Sequence, residues 1–147
     1  MNRKAVRYTF CFLTFSLLGG CASFFTTHFD TTRLSNLTTL KAMHIIFLDN
    51  WTVGSGNAWD ESKVSEACES GGTRFREAHE YAKSTDLEDG TAEKAVSLVW
   101  RQFEGDCDAL LEDEELFSSE FSSNLKLIVE GNYNKAIEGE KSRIGYD

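Results

Sequence analysis

None of the 147 residues is proline. Proline breaks helices from within and punctuates loops, so a chain of this length without it is predisposed to long, uninterrupted helices. The apolar residues follow suit. They recur at three- and four-residue steps, and alternating strand patterns are hard to find.

Four helical stretches emerge. The first runs from about Thr32 to Trp51, with Leu37, Leu40, His44, Phe47, Leu48 and Trp51 on one face. Gly54-Ser55-Gly56-Asn57 then makes a turn, in which Asn57 is placed to cap the next helix and Asp60 falls in its first turn. The second helix spans about Ala58 to Ser84, with a stripe of Val64, Cys68, Gly71, Phe75, Ala78 and Ala82. Thr85 to Gly90 reads as a polar loop. The third helix covers about Thr91 to Leu111, its inner face formed by Ala92, Ala95, Val96, Val99, Phe103 and Leu110. Asp113, Glu114 and Glu115 suit the first turn of a new segment, where negative charge meets the helix dipole. The last helix runs from about Ser119 to Arg143, with a looser face of Phe121, Leu125, Ile128, Val129 and Ala136. Short connections between long helices make neighbours antiparallel. The expected fold is all-α, an antiparallel up-down four-helix bundle.

The amino terminus has a different character. Arg3, Lys4 and Arg7 precede an apolar run from Tyr8 to Leu18 that is too short to span a bilayer, for which ~20 apolar residues are needed. Leu18-Gly19-Gly20-Cys21 closes the run. A branched aliphatic residue, two small residues and a cysteine, in that order after a basic and apolar leader, resemble the lipobox of bacterial lipoprotein precursors. The resemblance implies a signal peptide over residues 1–20, cleavage before Cys21, and lipidation of that cysteine. Residues 21–30 would then be a lipidated tether, in which Phe24, Phe25 and Phe29 lie near the lipid or dock on the domain. Residues 31–147 would form a single helical domain. Ala22 follows the cysteine where an aspartate would resemble an inner-membrane retention signal. In a Gram-negative cell the resemblance therefore implies an outer-membrane protein facing the periplasm.

The formal charge is -9. Without the three cations of the leader, 12 basic and 24 acidic residues remain, a charge of -12. Such a surface repels nucleic acid and anionic headgroups and suits solubility, cationic ligands or a basic partner.

Cys68 and Cys107 are the other two cysteines of the mature chain. They stand equally far from the predicted Thr85–Gly90 loop, so an antiparallel hairpin places them level on adjacent helices. An exported compartment is oxidising, and a disulfide stapling the central hairpin is expected. Packed helix axes lie 8–10 Å apart, whereas a disulfide needs its Cα atoms within about 7 Å. Gly71, Gly72 and Gly105 lie close by in sequence and would let the facing rims approach.

Residues able to carry chemistry are sparse. His44 sits in the middle of an apolar face, as a core histidine or a ligand. His79 flanks the second stripe, but His79-Glu80 lacks the Glu-x-x-His spacing of carboxylate-bridged bundles. No paired zinc spacing exists, and no metal or cofactor is expected. The acids Glu112 to Glu115, with Asp106 and Asp108, lack the glycine and spacing of a calcium loop and read as a solvated junction. Gly131 to Ile137 is similar to a piece of a tetratricopeptide repeat, but one repeat length (~34 residues) upstream Ser97 to Phe103 does not match. Trp51 and Trp59 lie where one end of the bundle closes, as packing or as an aromatic rim for a partner. The sequence thus points away from an enzyme. It suggests a lipid-anchored interaction or structural module of the envelope, held to the membrane by its anchor and bound to another envelope protein. The alternative is a small-ligand or metal carrier using the interior around His44.

Overall fold

The computed structural model describes residues 29–85 and 90–145. Cys21, Phe24, Phe25, the residues 1–20 expected to form a signal peptide and the middle of the polar loop lie outside the described residues. Four α-helices follow in order: α1 Thr31–Asn50, α2 Glu61–Thr85, α3 Thr91–Asp113 and α4 Ser119–Lys141, with a final 3-10 turn over Ser142–Gly145. Consecutive helices run antiparallel, and α4 returns to pack on α1, closing an up-down four-helix bundle. Among the described helices none is long and apolar enough to cross a membrane.

The stripes expected for the first three helices are the ones that turn inward. Leu37, Leu40, His44, Phe47, Leu48 and Trp51 are all buried, as are Val64, Phe75, Ala78 and Ala82 of α2 and Val96, Val99, Phe103 and Leu110 of α3. In α4 the stripe is rotated. Phe121 and Ile128 are 48% and 56% exposed, while Ser122, Val129, Tyr133 and Glu140 are buried. Polar groups took those inward places because each finds a partner there. Ser122 receives the Thr52 hydroxyl at 2.6 Å, and Glu140 accepts from Arg33 Nε at 3.1 Å. An apolar-periodicity reading passes over such residues.

The helix ends also differ from expectation. Asp60, not Asn57, caps α2, its Oδ1 accepting from Lys63 N at 3.2 Å. Asn57 instead turns back, its Nδ2 donating to the Asn50 carbonyl at the end of α1 at 2.9 Å. Glu112 to Glu114 end α3 rather than opening α4, with Glu114 in the left-handed region at φ 53°. Ser118 caps α4 by accepting from Phe121 N at 3.2 Å.

Each end of the bundle is tied across. At the end holding the α1–α2 and α3–α4 connections, Phe117 N donates to Trp51 O at 2.9 Å and Val53 N to Phe117 O at 2.8 Å. These bonds form a single parallel bridge of Thr52 with Phe117. At the opposite end Asp30 caps α1, accepts from the Tyr81 hydroxyl at 3.0 Å, and donates its own N–H to Glu140 at 3.0 Å. Burial works against the Asp30 carboxylate. The bonds from Tyr81 and from the Arg33 and Thr32 backbone, with the Arg33 charge, outweigh it and hold the pKa below its ordinary value. Asp30, expected at the end of a tether, is therefore tied into the folded domain.

The central hairpin is stapled. Cys68 and Cys107 form a disulfide with Cα atoms 5.9 Å apart, inside the usual span. Of the three glycines expected to permit this, Gly71 does so. A Cβ built there would lie 2.6 Å from Phe103 Cε1, so the ring fills the space that a side chain would need. Gly72 and Gly105 have nothing within 4 Å of such a Cβ and are not required for the approach.

Candidate functional site

His44 lies at the middle of the bundle with no exposed surface. Its Nε2 is 2.8 Å from Asp106 Oδ2, and the Tyr133 hydroxyl is 3.4 Å from its Nδ1. A carboxylate oxygen only accepts, so Nε2 carries the proton toward Asp106, leaving Nδ1 to receive the Tyr133 O–H in the neutral ring. Helices α1, α3 and α4 each contribute one member. Burial, followed by the nearby Asp106 charge, raises the Tyr133 pKa far above its ordinary value of 10.0.

Aromatic rings wall this centre. Phe103 meets the His44 imidazole edge-on with centroids 5.2 Å apart, and Tyr133 does so at 5.9 Å. Phe103 also contacts Phe47 at 5.0 Å and Phe75 at 5.1 Å. The interior around His44 is therefore filled with side chains. The arrangement satisfies a buried imidazole at both nitrogens and fixes the rotation of α1 against α3 and α4.

His79 lies apart from His44. Its Nε2 is 3.5 Å from Glu93, its Nδ1 is 3.8 Å from Glu80, and its ring packs edge-on to Trp100 at 5.8 Å. Among the described residues no group of three His, Cys, Asp or Glu side chains could hold a metal ion. Trp51 is buried, and Trp59 is half-buried with Nε1 donating to the Leu110 carbonyl at 3.1 Å. Both tryptophans belong to the closure of one bundle end. Trp100 stacks on Phe75 at 6.4 Å, the level that hairpin symmetry assigns it.

Open apolar surface lies elsewhere, at Ile46, Val53 and Leu127 among others, and along α3 and α4 it forms a groove. Leu98 is 60% and Ile128 56% exposed, and both line a groove of about 510 Å³ together with Ala95, Val99, Gln102, Lys135 and neighbours. The Asn132 side chain bridges the groove to Gln102 at 2.9 Å. Two shared residues, Ala95 and Ala136, connect this groove to a cavity of about 350 Å³ at the Asp30 end of the bundle. All four helices line that cavity, and His44 is not among its residues.

Sequence reasoning missed Asp106, Tyr133, Arg33 and Glu140. Asp106 falls among acids that read as solvated, yet it stands three residues after Phe103 and four before Leu110, on the inner face. Tyr133 stands four residues after Val129. That spacing was the available signal.

Comparison with known proteins finds no matching family model, no similar curated protein and no similar solved structure.

Proposed function

We propose that this chain is a lipid-anchored module of the bacterial envelope that works by holding a protein partner on its α3–α4 face. The observation that carries the reading is the apolar groove with Leu98 and Ile128 at its surface. Two large aliphatic side chains, each more than half exposed, flank a seam that no other described helix covers. The occupant that fits such a seam is an amphipathic helix presenting an aliphatic ridge. Lys135 is the charged residue of the groove lining, and Arg101 stands exposed one turn beyond Leu98. In a chain of net charge -9 these cations favour a partner helix whose ridge is bordered by carboxylates. The basic leader and the Leu18-Gly19-Gly20-Cys21 sequence support the anchor, with attachment through acyl chains on Cys21.

The test is affinity capture from detergent-solubilised envelopes. Wild type is compared with Leu98→Glu/Ile128→Glu, and Trp59→Ala serves as a packing control at the far end. The proposal expects one partner that is lost with the double variant and kept with Trp59→Ala. Equal capture by wild type and the double variant would remove the α3–α4 face from the account.

A further inference from the structure

The cavity at the Asp30 end is a different feature from the groove, although the two are contiguous. Its volume is about 350 Å³ and its walls are mostly apolar. They are formed by short side chains from three helices, with Ala78 and Ala82 on α2, Ala92 and Ala95 on α3, and Ala136 and Gly139 on α4. Leu37 of α1 and Val96 of α3 add larger apolar side chains, and Asn36, Thr91 and Ser142 add polar ones. At the heptad-like positions of a bundle, larger residues would normally meet and fill such a space. The charged lining is confined to Arg33, Glu140 and Arg143, which pair at 3.1 Å and 3.4 Å and so gather at one side.

We infer that this cavity receives a linear acyl chain, with the chain's polar end beside the Arg33–Glu140–Arg143 cluster and its methylenes running toward Ala95 and Ala136. Size supports this ligand class. A methylene takes about the volume of a water molecule, ~30 Å³, so the space holds a chain of roughly ten to twelve carbons. Access supports it as well. The chain enters the bundle at Asp30, whose backbone N–H bonds to the cavity residue Glu140 at 3.0 Å. Cys21 lies eight residues before Phe29. Eight residues span at most ~29 Å when extended, so an acyl group on Cys21 is within reach of the cavity. The same chemistry is available from a free fatty acid or a membrane lipid. The source in cis rests on the lipid-anchor reading, whereas the cavity itself does not.

The test uses the full-length chain carrying Cys21→Ser, labelled on alanine methyl groups for NMR and titrated with saturated fatty acids from octanoate to hexadecanoate. Shifts are expected at the methyls of Ala82, Ala92, Ala95 and Ala136. Affinity should rise about fourfold per added methylene over the shorter chains. Ala136→Leu fills the space and should weaken dodecanoate binding at least tenfold with helix content unchanged. If that variant loses helix content, Ala82→Val carries the same comparison. Absence of shifts at millimolar dodecanoate, or equal binding by the filled variant, overturns the inference. Wild type purified from envelopes then distinguishes the source. Alanine methyls at their dodecanoate-bound positions in wild type but not in Cys21→Ser prepared the same way mean a chain supplied in cis, and methyls at bound positions in both, or moving only on addition, mean a chain supplied from outside. An unlipidated wild-type mass would end the anchor reading while leaving the fatty-acid titration to stand or fall alone.

Discussion

His44 and Asp106 face each other across the bundle core at 2.8 Å, the imidazole without any exposed surface and the carboxylate nearly so. Removing either partner leaves a buried polar atom of the other unsatisfied, at a cost of about 1–3 kcal/mol for a neutral group and 3–5 kcal/mol for a charged one. Asp106→Leu and His44→Leu should each destabilise by amounts in these ranges, and the double variant by less than their sum. Urea unfolding of the four proteins measures the coupling. Additive losses would show that the pair does not act as a unit.

Tyr133 sets an alkaline limit. Its folded pKa is raised above the ordinary 10.0, first by burial and then by Asp106, so the fold prefers the neutral phenol. The stability this contributes is fully present below about pH 10 and is lost as pH rises beyond it, because the unfolded chain ionises first. Wild type should lose stability steeply above pH 10, with phenolate absorbance from Tyr133 appearing only on unfolding. Tyr133→Phe should flatten that loss, while costing about 1 kcal/mol at neutral pH through the missing bond to His44. Parallel alkaline profiles for the two proteins would refute the assignment.

Glycines in the central hairpin should behave oppositely. Gly71→Ala forces its methyl into the Phe103 ring, and overpacking of this kind costs about 1–3 kcal/mol. Gly105→Ala meets nothing within 4 Å and should stabilise by about 0.5–1 kcal/mol through helix propensity. Thermal melts of the two variants check the contrast. A shift of the same sign in both would contradict it.

The Cys68–Cys107 bridge joins residues 39 apart, and a loop of that size is worth about 4 kcal/mol in the chain-entropy account. Cys68→Ser/Cys107→Ser should lower the urea midpoint accordingly while keeping the helical spectrum. A loss under about 1 kcal/mol would mean that the hairpin is already held by packing around Gly71 and Phe103.

Apolar spacing made the architecture legible. The faces of α1, α2 and α3 could be read because Leu37, Phe75 and Phe103 recur with their neighbours at helical intervals, and equal distance from one loop paired the cysteines. The face of α4 is hidden from apolar spacing because two of its inward residues, Ser122 and Glu140, are polar. They are buried by partners over 60 residues away, Thr52 and Arg33, which local periodicity does not encode. The same limit hid Asp106, an acid beside other acids whose partner His44 is 62 residues distant. Alanine explains the rest. Ala82, Ala92 and Ala136 look like ordinary packing residues in sequence, and only the meeting of four helices turns their short side chains into a cavity.

The most direct test of the contact account is site-specific photo-crosslinking in living cells, with the crosslinker placed at Ile128 and, as a control, at exposed Thr73 on α2. The account predicts a discrete adduct from position 128 that disappears when Leu98→Glu is added, and none from position 73. No adduct at 128, or the same adducts from both positions, would contradict it.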